Sequence, residues 1–553
     1  MAQGGRAMHD HLTKLYPPEQ ARSLQEGLQN LATDFAAAHP DLAGQARGLT
    51  ADQSEVLLIA YGDQVKPRSG SPLKGLLEFM NQRLSGLTGL HLLPHFPYSS
   101  DDGFSVIDYR RVDPALGTWE DVKALGERYN LMFDAVINHI SAESHWNKEF
   151  LAGNDRGYLL QSDPGMDHSL VIRPRTHPLL TTVETPRGPK HVWTTFSADQ
   201  IDLDYSNPDL LYEIADVLLL YAENGARYLR LDAVGFLWKE LGTTCMHLPQ
   251  THELVKLLRT FFDIAAPGVC LVPEINGTYE ENAPYFGNGS DEAQMVYNFP
   301  LPPLVVHSFH TGDATVLNDW LSQLPSPPDG TTFFNFLSSH DGIGVRPVDN
   351  LLTTEQVQAM TERVRVHGGQ ISNRLVEGKE TPYEMNITFY DALTAPDEPV
   401  EKGIARMRSS HALLLALAGI PGIYFNSMVG GSNWQDGFAQ TGRNRTLNRR
   451  KYERDELDGL LDGDEQMGGV LQALLHLVRV RAAHPQFHPQ APQKIERLHP
   501  GLVAVRRGDV LTISSVKDEE VALPVAGRDL LTEREYGKGD MLEPYGVVWL
   551  KPT

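Results

Sequence analysis

The chain has 553 residues, 41% of them hydrophobic, and sets 48 Lys and Arg against 71 Asp and Glu for a formal net charge of -23. The length suits a barrel of about 250 residues or more with insertions and an appended domain, and the acidic balance argues against nonspecific binding to nucleic acid or an anionic membrane. Two cysteines, Cys245 and Cys270, are too few for a secreted disulfide framework, and Cys270 reads as a small buried apolar residue. The N-terminus has no apolar signal-peptide core, and no run approaches the roughly 18–20 apolar residues of a membrane span, so the cytoplasm is the expected compartment.

In chain order, residues 1–50 read as a polar helical extension broken at Pro17-Pro18. Glu55 to Tyr61, Gly89 to Pro94 and Leu131 to Val136 read as the first three strands, with helical periodicity from Thr118 to Tyr129. Residues 141–200, rich in Pro, Gly, His and Thr, interrupt that rhythm and read as an inserted domain after strand 3. Barrel sequence resumes over 201–341, a second insertion covers 342–395, and barrel sequence over 396–488 holds a helix near Ala405 to Ala418 and an eighth strand at Ile420 to Phe425. From 489 to 553 short alternating runs, such as Leu502 to Arg507 and Val510 to Ile513, read as a small β domain. The expected fold is α/β: a (β/α)8 TIM barrel spanning 51–140, 201–341 and 396–488, with inserted domains after strands 3 and 7 and a C-terminal β domain.

Four apolar runs end in polar residues. Arg227 to Leu231 carries Arg230 and stops at Asp232, and Arg-x-Asp in a strand puts both side chains on one face. Val272-Pro273 stops at Glu274, Phe336 to Ser339 stops at His340-Asp341, and Asp134 to Ile137 stops at Asn138-His139. Strand tips converging on one polar site are what a barrel enzyme requires.

In order, these four blocks resemble the signature regions of glycoside hydrolase family 13, the α-amylase superfamily: D-x-x-x-N-H, R-x-D, a glutamate block and H-D. The resemblance implies Asp232 as nucleophile, Glu274 as acid/base and Asp341 as third carboxylate, with His139 and His340 hydrogen-bonding sugar hydroxyls and net retention of an α-glycosidic bond. Such chemistry needs two carboxyl groups flanking the anomeric carbon. Arg230 is expected to keep Asp232 ionised, and Glu274 needs surroundings that raise its pKa. The 21 histidines show no H-E-x-x-H spacing and no loop is of the EF-hand type, so neither a metal nor an organic cofactor is expected.

The stretch from Pro94 to Phe104 is similar to the sucrose phosphorylase branch of that family, which implies that Asp101 contacts the far hydroxyls of glucose and that Phe104 packs beside it. Arg173-Pro174-Arg175, Gly235-Phe236, Lys239-Glu240 and Leu301 to Leu304 agree with that branch. A phosphorylase takes inorganic phosphate as co-substrate and needs cations to hold it beside a carboxylate. Candidates are Arg175 and the run Arg443 to Lys451, which contains Arg445 and Arg449; by position Arg449 matches an arginine lining the site in that branch. The loops Ile275 to Asn282 and Thr381 to Asn386, with Tyr383, depart from the sucrose enzymes. With Tyr285 to Gly289 and Thr441 to Arg443, they are more similar to the glucosylglycerate phosphorylases, whose acceptor carries a carboxylate. The expected partners are a small sugar substrate and phosphate. Sucrose or glucosylglycerol specificity, and an α-glucosidase-type hydrolase, stay open, and the sequence specifies no oligomeric state.

Overall fold

A computed structural model describes residues 2–376 and 378–552. Eight parallel strands form one sheet: β1 (Leu57–Ala60), β2 (Gly89–Leu92), β3 (Asn130–Ala135), β4 (Ala226–Leu231), β5 (Cys270–Pro273), β6 (Met295–Tyr297), β7 (Thr332–Asn335) and β8 (Ile420–Tyr424). Their order is β5-β4-β3-β2-β1-β8-β7-β6, so the sheet curls until β5 and β6 become neighbours. Between those two the Gln294 side chain accepts from the Leu271 N–H at 2.8 Å, standing in for a strand-to-strand bond. The strands are buried along nearly their whole length because helices cover the outside and side chains fill the inside.

The eighth strand begins where the sequence places it. The first begins two residues late, since Glu55 leaves the sheet to accept from Asn130 and Tyr228 at the barrel's lower end. The largest difference is at β7, which ends at Asn335, so Phe336 to Asp341 is loop. β7 pairs with β8 only as far as Asn335 opposite Pro421, and proline offers no N–H to extend a ladder. The loop then turns through reciprocal Ser339–Gly342 backbone bonds of 3.0 and 3.1 Å. Gly342 has φ 94°, and a Cβ there would lie 2.3 Å from the Met385 carbonyl oxygen, so no other residue fits.

The chain between β3 and β4 holds the hairpin Leu180–Thr185/Gly188–Trp193, and its two ends are tied by antiparallel pairing of His139–Ser141 with Gln200–Asp202. Between β7 and β8 lie a helix, Thr354–Val366, and the hairpin Gln370–Val376/Lys379–Asn386. The C-terminal sheet has its own apolar core around Leu502, Leu511, Ile513 and Val548. Ahead of the barrel, α1 (Ala2–Leu15) and α2 (Pro18–Ala38) break at Pro17-Pro18 and pack on α3 (Pro208–Glu223) and α4 (Pro249–Ala265) through Met8, Leu12, Leu24 and Leu28. Tyr16 ends α1's apolar stripe; its hydroxyl donates to the Tyr205 carbonyl and that of Tyr205 to the Ile137 carbonyl, each at 2.8 Å. At the opposite end of the chain, fully buried Arg481 donates to the carbonyls of Gln53, Glu55, Leu415, Gly419 and Phe487, stitching both ends of the barrel sequence together. No helix among the described residues is long and apolar enough to cross a membrane.

Candidate active site

The C-terminal ends of the strands open into a cavity of about 540 Å³, within the range of small-molecule sites. β4 delivers Asp232, β5 delivers Glu274, and the loop after β7 delivers His340 and Asp341. His139 comes from the loop after β3, and Asp101 and Phe104 from the loop after β2. Side chains named from five separate stretches of sequence therefore face one space.

Below Asp232 and Glu274 lies Arg230, only 2% exposed and still inside β4. Its Nη1 donates to Asp134 and, at 2.8 Å, to Asp232 Oδ1; its Nη2 stands 3.5 Å from Glu274 Oε2. Its guanidinium lies over the rings of Phe104 and Tyr297, 5.7 Å from each centroid. Arg230 is thus a buried support for the carboxylates. Asp134 sits one layer deeper and takes a second bond from His91 Nε2 at 2.7 Å. Burial alone would raise Asp134, but Arg230 and His91 hold it down at about 2.

The carboxyl groups differ in the direction of their pKa. Burial pushes Glu274 up to about 8, helped by the charges of Asp232 and Asp341 and opposed by Arg230 and the Ala233 N–H. Burial also raises Asp232, against Arg230 and His139. Arg230 was expected to decide that residue; desolvation outweighs it because Arg230 divides its charge among three carboxylates. Burial works upward on Asp341 too, yet Arg445, His340, Arg449 and Arg230 hold it well below the usual carboxylate range. A carboxyl that keeps its proton through neutral pH, as Glu274 does, is what a proton donor in this chemistry requires.

Backbone strain concentrates here. Asp101, Asp102 and Ala233 have φ of 51°, 50° and 51°, left-handed values that side chains beyond glycine adopt at a cost of about 1–3 kcal/mol. At Ala233 the conformation turns the N–H onto Glu274 Oε2 at 3.2 Å. At Asp101 and Asp102 it is held by Arg449, which stands 3.3 Å from Asp101 Oδ1 and 2.9 Å from Asp102 Oδ2. Phe104 stacks on His340 with centroids 4.6 Å apart and planes 4° from parallel, and burial lowers His340 to about 3, leaving a neutral ring. His139 Nε2 lies 2.8 Å from the Phe104 carbonyl oxygen and 3.2 Å from Gln200 Nε2, and its Nδ1 lies 3.2 Å from Asn138 Nδ2, so protein groups hold its ring in this structure.

The profile described as alpha amylase, catalytic domain, matches residues 73–343. The chain is 44% identical to a glucosylglycerate phosphorylase of Allomeiothermus silvanus over 98% of this chain and 97% of that relative. It is 40% identical to a glucosylglycerate phosphorylase of Escherichia coli over 95% and 96% of the two chains. Among solved structures, a sucrose 6F-phosphate phosphorylase from Thermoanaerobacter thermosaccharolyticum is similar with a TM-score of 0.73 and 25% identity, covering 86% of this chain and 94% of its own.

The chain belongs to glycoside hydrolase family 13, the α-amylase family. It is an enzyme of that family and groups with its phosphorylase branch.

The basic run Arg443 to Lys451, read as a source of phosphate-binding cations, splits apart in this family 13 enzyme. Only Arg445 of the run lines the cavity. Arg443 is exposed, Arg450 pairs with Glu456 at 2.5 Å, and Lys451 pairs with Asp63 at 2.8 Å. Arg449, expected to face the ligand, is 4% exposed behind Asp101 and Asp102, its Nε donating to the His340 carbonyl at 2.9 Å. It is positioned there because those two carboxylates neutralise it. Arg445 does reach the cavity, but bridges Asp341 at 2.9 Å, Asp101 at 3.3 Å and Glu384 at 2.8 Å. Arg175 lies over the Tyr383 ring at 5.1 Å and stands 3.7 Å from Glu384.

Sequence reasoning missed several cavity residues. Glu384 is a 3%-exposed carboxylate that anchors both Arg175 and Arg445, although it was visible only as one position of a divergent loop. Arg346 and Arg374 also line the space; Arg346 follows the H-D block by five residues, but Arg374 carries no motif at all. Lys239, noted as a branch feature, is a buried tie holding Asp202 at 2.6 Å and Asn138 at 2.8 Å.

Proposed function

We propose that this enzyme is a retaining phosphorylase that interconverts 2-O-α-glucosylglycerate and phosphate with α-glucose 1-phosphate and D-glycerate. The observation that carries the reading is the pairing of Asp232 with Glu274, a carboxyl pushed up to about 8, in a cavity edged by arginines. Asp232 attacks the anomeric carbon while Glu274 gives its proton to the departing glycerate oxygen, leaving a β-glucosyl ester on Asp232 and an ionised Glu274. Phosphate then attacks the same carbon from the face glycerate left, Glu274 takes up the proton that phosphate releases, and Asp232 is freed. Two inversions give net retention. Asp101, Asp341, His139, His340 and Phe104 hold the glucosyl ring, with Arg230 supporting the carboxylates from below and Arg449 supporting Asp101 from behind. Arg175, Tyr383 and Arg445 border the subsite that glycerate and phosphate occupy in turn.

Relatives of this name align over nearly the whole chain, which supports glycerate over fructose or glycerol as acceptor. Phosphate is the co-substrate, and the scheme uses no other cofactor. Two free, buried cysteines fit a reducing compartment, and we assign the enzyme to the cytoplasm.

The test is phosphate release from α-glucose 1-phosphate with D-glycerate, fructose or glycerol. Release with glycerate well above the others is expected. Preference for another acceptor overturns the substrate assignment, and free glucose without acceptor-dependent phosphate release makes the enzyme a hydrolase.

A further inference from the structure

The arginines around the cavity differ in how their charge is balanced. Arg445 meets three carboxylates, Arg449 meets Asp101, Asp102 and Asp341, Arg346 meets Glu281, and Arg374 meets Asp349. Arg175 shares Glu384 with Arg445. Arg173 also lines the cavity, yet among the described residues no carboxylate stands within ion-pair distance of it. Its Nη2 donates to the His177 carbonyl, and its Nε is buried without a partner. Burial pulls the pKa of its guanidinium down. In a protein of net charge -23, a half-buried cation facing a cavity without a counter-charge is out of balance until an anion arrives.

The loop that carries Arg173 is built to hold it still. Pro174 fixes its own φ and restricts Arg173 before it to extended backbone. Val171 and Leu179 pack with Trp193 and Cys245 in a small separate apolar cluster. The Ile172 N–H donates to the Thr244 carbonyl at 3.1 Å, tying the loop to the segment that follows Asp232. A guanidinium presented from a braced loop loses little further entropy on taking a carboxylate.

We propose that Arg173 receives the carboxylate of the acceptor, so that its charge favours glycerate over uncharged alcohols. Arg175, two residues on, lies over Tyr383 with part of Glu384's charge and is the weaker anion receptor of the two. The assignment rests on the glucosylglycerate reading above.

The experiment measures synthesis from α-glucose 1-phosphate by the full-length enzyme, with D-glycerate and glycerol as alternative acceptors, for wild type, Arg173→Gln and Arg173→Lys. One lost charge-assisted hydrogen bond is worth roughly tenfold or more in affinity. The KM for glycerate is expected to rise by at least about tenfold in Arg173→Gln, the glycerate-to-glycerol preference to fall by the same factor, and Arg173→Lys to recover part of it. An unchanged preference in Arg173→Gln overturns the assignment, as does an effect confined to phosphate or an equal loss with both acceptors. Wild type that prefers fructose or glycerol overturns the glucosylglycerate reading and this assignment with it; wild type that prefers glycerate beside an indifferent Arg173→Gln overturns this assignment alone.

Discussion

The backbone N–H of Ala233 donates to Glu274 Oε2 at 3.2 Å, so the residue that follows one proposed catalytic carboxylate holds the other in place. Because burial and the charges of Asp232 and Asp341 push Glu274 up to about 8, it carries a proton through neutral pH. Phosphorolysis of glucosylglycerate should therefore lose kcat/KM above about pH 8, where the proton donor is spent. A pH–rate profile checks this; an alkaline limb near pH 5 contradicts the assignment of Glu274 as the acid.

The same group sets a stability dependence. Its folded pKa lies above its unfolded value of 4.5, so its stabilising contribution is complete below about pH 4.5 and is lost as pH rises through about 8. Glu274→Gln keeps a neutral group there at every pH. Denaturant unfolding should show wild type losing more stability than Glu274→Gln between pH 5 and 9.

Asp232→Asn removes the nucleophile and keeps its shape. Turnover should fall by at least about 10³-fold. The fold should survive, since burial already disfavours the charge at that site. Phosphate release and thermal unfolding measured on one preparation distinguish loss of chemistry from loss of structure.

Arg445→Met leaves Asp101, Asp341 and Glu384 facing one another without the cation that bridges them. Breaking a fully buried pair costs about 3–5 kcal/mol. The Arg445 side chain is 18% exposed, so about 2–3 kcal/mol is expected in urea unfolding. Asp341 should also become easier to protonate, moving the acid limb of the activity profile upward in pH.

Tyr16→Phe deletes the hydroxyl that caps the Tyr205 carbonyl and begins the relay to Ile137, two residues before His139. A cost of about 1–2 kcal/mol in unfolding free energy is expected. Glycerate use should change less than glucosyl transfer, because the relay ends beside the glucose-facing loop and not at the arginines.

The barrel and its carboxylates were legible because both rest on local rules. Apolar runs ending in Asp, Glu or His mark strand tips, and Asp232 and Glu274 follow directly after β4 and β5. The arginines were not legible in the same way. Arg445 and Arg449 stand four positions apart in one basic run, yet one lines the cavity and the other is sealed behind Asp101. Which of them stays available depends on carboxylates hundreds of residues away, such as Asp101 at a separation of 344 positions from Arg445. Glu384 was unreadable for a related reason: its importance lies in its two partners, Arg175 and Arg445, and neither is near it in sequence. The early end of β7 follows from Pro421 on the neighbouring strand, which periodicity within β7 itself does not reveal.

Arg481 reaches the Glu55 carbonyl across 426 positions, and Leu57 of β1 finds its second neighbour only at Gly422 of β8. During synthesis, then, most of the enzyme emerges while one flank of its first strand has nothing to pair with. Ribosomes deliver about 5–20 residues each second, so an apolar parallel edge stays open for many seconds, and such edges recruit other chains. A transcript cut short before β8 would yield a polypeptide holding all three proposed catalytic carboxylates but no way to shut its ring. For this enzyme, premature termination is a hazard of clumping as well as of lost activity, and the arginine near the far end acts as the clasp that ends the danger.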